Sequence, residues 1–217
     1  MINPKLMVFA GMLLRGALVT IYLSALSLLL ALILGIILGI LRTSRNVILR
    51  NVVRVYVELF RSLPLLLLMF FMFFAAPVVL RLDVPPFTAV IVSLVLYVGA
   101  YMTEIVRGAI ESVHHAQWEA AYSLALRPTQ VLRYVIMPQA VRVAIPPTVG
   151  LLVGSIKDSS LASAVGYVEL TRAGLTIRNV TMTSFGVLFI VAAIYFVICS
   201  VVSRLGSYLE RRLQFPH

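Results

Sequence analysis

The sequence contains very little charge for its length. Of 217 residues, only 12% are Asp, Glu, Lys or Arg, whereas 61% are hydrophobic. A soluble domain of this size needs far more charged residues to cover its surface. The scarcity of charge therefore excludes an ordinary soluble protein and indicates an integral membrane protein.

Acidic residues are scarcer still, so the formal net charge is +10. The basic residues are scattered between apolar runs, without the aromatic-basic interleaving that nucleic-acid-binding modules use. We therefore expect no nucleic-acid partner. Arginines that border apolar runs fit the anionic headgroups of membrane lipids instead.

Residue patterns of catalysis and nucleotide binding are also missing from the sequence. It has no GxxxxGK followed by Ser or Thr, no Ser-His-Asp arrangement, no metal-ligand cluster and no paired-carboxylate site. We expect a chain that is not an enzyme and that holds no cofactor or metal of its own. The single Cys199 cannot form an internal disulfide. The first apolar run is too long for a signal peptide, so we expect it to be retained.

What the sequence does contain is a series of apolar runs, the clearest being the uncharged stretch Gly16 to Leu41. As a helix, that stretch is long enough to cross a bilayer with some tilt. Ala31, Gly35 and Gly39 recur in it every four residues, which predicts close approach of a second helix, within the same subunit rather than at a dimer seam. We predict one transmembrane domain over residues 1–217, with spans at approximately 12–41, 60–80, 87–107, 141–156 and 182–206.

The fourth predicted span differs from the others. Val143 to Ile156 is short, and it contains two glycines as well as Pro146 and Pro147. We predict a broken segment, which a membrane protein tolerates where the segment is buried in protein or lines a wet cavity. A mixed loop, Lys157 to Thr183, is expected to follow it.

The distribution of basic residues predicts the orientation of the chain. With the N-terminus outside and the C-terminus in the cytoplasm, twelve basic residues lie inside and six outside, as the positive-inside rule requires. The inner set is Arg42, Arg45, Arg50, Arg54, Arg61, Arg107, Arg127, Arg133, Arg142, Arg204, Arg211 and Arg212, and the outer set is Lys5, Arg15, Arg81, Lys157, Arg172 and Arg178.

One long polar stretch, Glu119 to Ala140, interrupts the apolar runs and falls on the cytoplasmic side in this orientation. Glu119 to Leu126 is predicted as a short helix, with the Glu119 carboxylate in its first turn, where it suits the helix dipole. Pro128 is expected to begin a second helix and Pro138 to end it.

The second helix carries an apolar stripe, so the stretch predicts an amphipathic hairpin. Periodicity alone leaves two alternatives in equal measure, a hairpin lying on the bilayer and a surface that contacts a soluble partner. The stripe consists of Val131, Leu132, Val135 and Ile136.

The residues of the hairpin resemble the EAA loop of permease subunits of ATP-binding-cassette (ABC) importers. Three further motifs, Phe60 to Pro64 (FRSLP), Glu104 to Ile110 (EIVRGAI) and Lys157 to Gly174, resemble the polar amino-acid branch of these permeases. Ala125 departs from the family pattern, which usually has Gly there, and a positive φ at that position would cost alanine about 1 kcal/mol. The matching hairpin residues are Glu119, Ala120, Ala121, Leu124, Ile136, Pro138, Gln139 and Ala140.

The resemblance implies an all-α membrane protein of type I importer architecture, with five transmembrane helices and a cytoplasmic coupling hairpin, in a bacterial inner membrane. It also implies three protein partners: cytoplasmic ABC ATPase subunits that bind ATP and Mg, a second permease subunit that is identical or homologous, and an extracytoplasmic substrate-binding protein. The ATPase would contact Glu119, Ala120, Ala121, Leu124, Ala125 and Pro138.

A Lys-Asp pair beside the predicted broken segment is the candidate substrate site. Asp158 would bind the ammonium group of an amino acid, and Lys157 or Arg61 its carboxylate. The alternative is that Asp158 only neutralises a neighbouring cation. Glu104 is a further candidate, although a structural pair with Arg107 at i, i+3 is favoured. The full candidate set is Asp158, Lys157, Ser159, Ser160, Arg61 and Glu104.

Three other functions compete with an amino-acid importer permease. A secondary amino-acid transporter explains the spans and Asp158 but leaves the hairpin without a role. An importer of the same class for another small solute fits equally well. A membrane-embedded enzyme lacks a catalytic constellation.

Overall fold

A computed structural model of the chain describes residues 4–44 and 46–213. Regular secondary structure in these residues is helical throughout, without strands, which confirms the predicted all-α class. Arg45, one of the residues in the charge count, lies outside the described residues.

The helices are joined by short connections. Three of the α-helices continue directly into π-helical or 3-10 segments. π-helical turns, Phe71–Ala75 and Val131–Ile136, follow α3 and α7, and a 3-10 helix, Ser159–Val165, follows α8. The α-helices are α1 Pro4–Arg42, α2 Val47–Ser62, α3 Leu65–Phe70, α4 Ala76–Leu80, α5 Pro86–Glu111, α6 His115–Ser123, α7 Pro128–Gln130, α8 Met137–Asp158, α9 Leu170–Thr181 and α10 Ser184–Leu213.

Four helical stretches of the described chain are long and apolar enough to cross a membrane. A bent pair, Val47–Ser62 with Leu65–Val79, passes the same test as one broken span and would make a fifth. The four are longer than the spans predicted from sequence: Met7–Arg42, Pro86–Glu111, Pro128–Val165 and Ser184–Arg212.

Helices α1 and α5 pack against each other at the small residues of α1. A Cβ built on Gly35 would lie 2.5 Å from the Met102 Cβ, and one on Gly39 would lie 2.6 Å from the Val106 Cβ. Such distances are below van der Waals contact, so only glycine allows this approach. The prediction that the Ala-Gly-Gly ridge packs within the subunit is confirmed.

Helix α2 is joined to α3 through a 102° bend. Leu63 and Pro64 both have extended backbones at this point, with ψ values of 136° and 129°. Pro64 lacks the N–H that a continuous helix would use, so the bend follows from its position. Val53 and Val57 of α2 are buried, and the Tyr56 hydroxyl donates to the Leu96 carbonyl of α5 at 2.8 Å. These contacts hold α2 against α5.

The prediction of a broken segment at Val143 to Ile156 is wrong. Helix α8 runs without interruption from Met137 to Asp158, with Pro146 and Pro147 inside it. Each proline lacks the N–H of one backbone hydrogen bond, but the remaining bonds of the 22-residue helix continue past them. Both proline side chains are exposed.

The segment expected to be a mixed loop after Lys157 is also helical, in the 3-10 helix and in α9. Glu169 is the residue that begins α9. Its side chain accepts the backbone N–H groups of Thr171 and Arg172, each at 2.8 Å. A carboxylate in this position satisfies donors that the first turn leaves unpaired.

Candidate functional site

The polar hairpin begins four residues earlier than predicted. Helix α6 runs from His115 to Ser123, because the Nδ1 of His114 accepts the backbone N–H of Ala116 at 3.2 Å and caps the helix there. Glu119 therefore lies in the middle of α6 rather than in its first turn, and its carboxylate pairs with the His115 ring at 3.1 Å.

Pro138 does not end the second helix, contrary to prediction. The chain continues from α7 through the π turn Val131–Ile136 into α8. The Met137 N–H donates to the Leu132 carbonyl, five residues back. This wider turn accommodates the proline, whose ring would clash with a carbonyl four residues back in a regular helix.

The apolar stripe of the hairpin faces the body of the subunit, which neither of the two alternatives left by periodicity describes. Val131 and Ile136 are completely buried, and they pack with Ala121 of α6 and with Ile110 at the end of α5. The hairpin is therefore a rigid extension of α5 and α8 rather than a loosely attached loop.

The opposite face of the hairpin is open. Glu119, Ala120 and Ala125 are exposed, and Leu124 at the tip of α6 has 75% of its surface exposed. Pro138 is exposed as well. An apolar tip on a packed base is suited to insertion into a groove of another protein.

Ala125 adopts a left-handed backbone conformation, with φ = 56°. Its N–H donates to the Tyr122 carbonyl at 2.9 Å and so closes the end of α6. Helices commonly end on such a residue, which is usually glycine because a Cβ is strained there. The conformation that the family pattern suggested is therefore present, with an alanine in it.

Replacing Ala125 with glycine is expected to stabilise the hairpin by about 1 kcal/mol, since it removes the Cβ strain at positive φ. Ala120→Gly is the matched control: Ala120 is exposed in the interior of α6, where glycine costs about 1 kcal/mol. Thermal unfolding of the purified permease measures both changes. Shifts of the same sign in the two variants would contradict the strain.

The predicted substrate residues divide into a connected group and a separate one. Arg61 lies over the ring of Tyr101, with 4.9 Å between its guanidinium carbon and the ring centroid. The Tyr101 hydroxyl is 3.4 Å from the Tyr97 hydroxyl, and Tyr97 interacts electrostatically with both Arg61 and Asp158. The two tyrosines thus lie beside Arg61, and Tyr97 is close enough to Asp158 for an electrostatic interaction.

The residues next to Asp158 have other surroundings. Lys157 is exposed and lines a groove between α8 and α10, together with Tyr195 and Arg204. Ser159 is buried, and its hydroxyl donates to the Ile156 carbonyl at 2.7 Å. Ser160 is partly buried. Lys157 acts electrostatically on the Asp158 carboxylate, whereas Arg61 is related to Asp158 only through Tyr97.

Glu104 is held in an ion network. The Arg42 Nε donates to its Oε1 at 2.7 Å, and the Arg107 guanidinium donates to its Oε2 at 2.8 Å; Arg107 also pairs with Glu111. The predicted pair with Arg107 is confirmed. Glu104 nevertheless lines a cavity of about 370 Å³ with Arg61 and Tyr101, so its role as a ligand stays a prediction.

Sequence reasoning missed three features of this region. Tyr97 and Tyr101 stand four residues apart in an apolar span, a spacing that would have placed them on one helix face. Arg42 was used only in the charge count. Glu169 lies within the Lys157 to Gly174 motif, but nothing in the sequence indicates that its side chain is buried.

Glu169 joins three helices, α1, α9 and α10. It has no exposed surface. In addition to the two backbone donors of α9, its Oε2 accepts from the Tyr195 hydroxyl of α10 at 2.7 Å and from the Thr20 hydroxyl of α1 at 3.4 Å. Burial raises the pKa of the Glu169 carboxyl, and these donors oppose the shift without cancelling it.

Glu169→Gln is expected to destabilise the permease by about 1–2 kcal/mol, because an amide offers one acceptor oxygen where the carboxyl offers two. The loss should shrink as pH rises. Since the pKa is raised in the folded state, the native protein holds the proton more tightly, and wild-type stability declines as pH rises through that pKa.

Unfolding midpoints of wild type and Glu169→Gln, measured from acidic to neutral pH, test this prediction. Asp83→Asn, which changes an exposed carboxylate, is the control. A wild-type curve that rises with pH relative to Glu169→Gln would contradict the assignment.

Comparison with known families identifies the chain. Residues 31–215 match the family described as binding-protein-dependent transport system inner membrane component. The chain belongs to this family. Its long apolar helices and its exposed hairpin are thus those of a transport permease that spans a membrane, as predicted.

Individual members of the binding-protein-dependent permease family match over nearly the whole chain. The glutamine transport system permease protein GlnP of Escherichia coli (strain K12) is 36% identical over 204 residues, which are 94% of this chain and 93% of that protein. The L-cystine transport system permease protein TcyB of Bacillus subtilis (strain 168) is 38% identical over 199 residues, with coverages of 91% and 85%.

Solved structures agree with this assignment. The crystal structure of an amino acid ABC transporter with histidines superposes with a TM-score of 0.89 at 30% identity, over 98% of this chain and 99% of the other. The inward-facing MetNI methionine ABC transporter gives a TM-score of 0.83 at 20% identity, over 99% and 100%. The similarity to MetNI supports the fold, which is that of type I ABC importer permeases.

Proposed function

We propose that this permease carries polar amino acids into the cell as part of an ABC importer. The observation that supports the proposal most strongly is the exposed tip of α6, built on a rigid base. The relatives named for glutamine and cystine suggest the class of solute. An amino acid would place its ammonium group at Asp158 and its carboxylate at Arg61, beside Tyr97 and Tyr101.

Transport on this proposal proceeds by alternating access. A second permease subunit, identical or homologous, pairs with the chain around a pathway, and a binding protein delivers the amino acid from the extracytoplasmic side of a bacterial inner membrane. ATP and Mg are bound by separate cytoplasmic ATPase subunits, whose closure moves the hairpins. The N-terminus lies outside and the C-terminus in the cytoplasm, in agreement with the charge distribution.

Because Ala121, Val131 and Ile136 fix the hairpin to α5 and α8, a force on Leu124 would be transmitted to those helices. Helix α8 carries Asp158 at its end, and α5 carries Tyr97 and Tyr101. The same two helices thus connect the docking surface to the proposed substrate site, which gives ATPase closure a direct mechanical route to it.

Co-purification tests the proposal. A stable complex with a P-loop ATPase is expected for wild type and should be lost in Leu124→Glu, because a carboxylate replaces the apolar tip in a desolvated groove. Leu82→Glu is the control, since Leu82 is 60% exposed in the turn after α4 and lies on the extracytoplasmic side in the proposed orientation. Amino-acid uptake that persists without any ATPase would instead establish the secondary transporter.

A further inference from the structure

A pocket of about 470 Å³ lies beside the hairpin, outside the proposed substrate site and off the exposed docking face. It is formed where α1, α2, α5 and α6 meet, and we refer to it as the basic pocket. The side chains relevant to its chemistry are Arg42, Arg50, Glu111, His114, His115 and Trp118.

The basic pocket carries an excess of positive charge. The Arg42 Nε–H donates to Glu104. The guanidinium has four further N–H groups that can donate to a ligand. Arg50 is exposed, and in residues 4–44 and 46–213 it has no carboxylate partner. The one acidic side chain of the pocket, Glu111, is paired with Arg107. The charges of Arg42 and Arg107 balance those of Glu104 and Glu111, so the excess at the pocket is the single positive charge of Arg50.

The two histidines contribute in different ways. The Nδ1 of His114 accepts the Ala116 N–H, so the proton of its neutral ring is on Nε2, which acts as a donor. The Nδ1 of His115 is 3.1 Å from the Glu119 carboxylate. His114 thus adds a hydrogen-bond donor to the arginines, whereas His115 is engaged with the hairpin.

The surroundings of the pocket are those of a membrane boundary. It lies where the apolar helices α1 and α5 both end, and Trp118 is partly exposed there, as tryptophans at the headgroup level often are. Ile36 and Ile37, one to two turns before Arg42 on α1, are 40% and 53% exposed. This apolar surface on the membrane side of the pocket suits acyl chains below a charged headgroup.

We propose that the basic pocket binds the phosphate of an anionic phospholipid, with Arg50 as the principal ligand and Arg42 and His114 as further donors. A guanidinium matches phosphate oxygens in charge and in geometry. The exposed isoleucines favour a lipid over a soluble phosphate, because only a lipid would cover them. The proposal depends on insertion in a membrane and not on the transported solute or the ATPase.

Lipid binding to the full-length chain in detergent tests the proposal, with native mass spectrometry as the readout. Dioleoyl phosphatidylglycerol should be retained in preference to dioleoyl phosphatidylcholine. Arg50→Gln should weaken the preference about tenfold or more, the effect of losing a hydrogen bond between charged groups. Arg50→Lys should retain most of it.

Arg54→Gln is the matched control. Arg54 lies one turn further along α2 and pairs with Glu58, outside the pocket lining, so the same loss of charge should leave the preference unchanged. Equal losses in Arg50→Gln and Arg54→Gln would mean diffuse attraction and overturn the site. Equal retention of the two lipids would also overturn it, and so would displacement of phosphatidylglycerol by equimolar inorganic phosphate, which would indicate a soluble anion.

Discussion

Gly35→Ala is expected to lower the thermal unfolding midpoint of the permease sharply, whereas Gly11→Ala on the same helix should leave it unchanged or slightly raised. At Gly35 the new Cβ would lie 2.5 Å from the Met102 Cβ and 3.0 Å from its backbone carbonyl carbon. Neither atom can move away by rotation of a side chain, so α1 and α5 must separate. At Gly11, no described atom lies within 4 Å of the new Cβ.

Two contributions to the free energy of unfolding decide whether alanine stabilises or destabilises the permease at each position. Alanine is the better helix former by about 1 kcal/mol, which favours both variants. Overpacking in a close-packed interface costs about 3 kcal/mol when the backbone has to move, so the clash outweighs the propensity gain at Gly35 alone. Equal midpoints for the two variants, measured in the same detergent, would show that α1 and α5 do not pack as described.

This interface also shows how far the sequence could lead. The four-residue spacing of Ala31, Gly35 and Gly39 was sufficient to predict a close helix approach within the subunit. It could not identify α5 as the partner, since that depends on which face of α5 carries Met102 and Val106. Periodicity in one helix defines a surface but not what covers it.

The incorrect predictions of where helices break or end all concern prolines. Pro146 and Pro147 were treated as helix breakers, but each removes only one backbone hydrogen bond from a helix of 22 residues. The prediction for Pro138 failed because a π turn precedes it. The preference of a single residue was outweighed in each case by the backbone hydrogen bonds of the helix around it.

The candidate site was predictable only in its charged residues. Asp158 and Arg61 were noticed because charges are rare in this chain. Tyr97 and Tyr101, which lie beside Arg61, are ordinary residues of an apolar span until α2 is placed beside α5. The pairing of Arg42 with Glu104 joins residues 62 positions apart, and no local pattern reports such a contact.

Asp158→Asn is expected to raise the amino-acid concentration that half-maximally stimulates the ATPase of the reconstituted importer by about tenfold to a hundredfold. A hydrogen bond to a charged group contributes about 1.5–3 kcal/mol, and the amide that replaces the carboxylate keeps its shape but not its charge. The ammonium group of the amino acid would lose its counter-ion, while its carboxylate would still meet Arg61. Asp83→Asn is the control, because it makes the same chemical change at an exposed residue.

The way in which the kinetics change separates ligand binding from a structural role. If Asp158 contacts the amino acid, the half-saturating concentration rises while basal ATPase activity stays near that of wild type. If it only neutralises a neighbouring cation, basal and maximal rates change together and the half-saturating concentration does not. Stimulation and uptake that both survive unchanged in Asp158→Asn would remove Asp158 from the site, and Arg61 with the tyrosine pair would then have to bind the amino acid without an anionic partner at the end of α8.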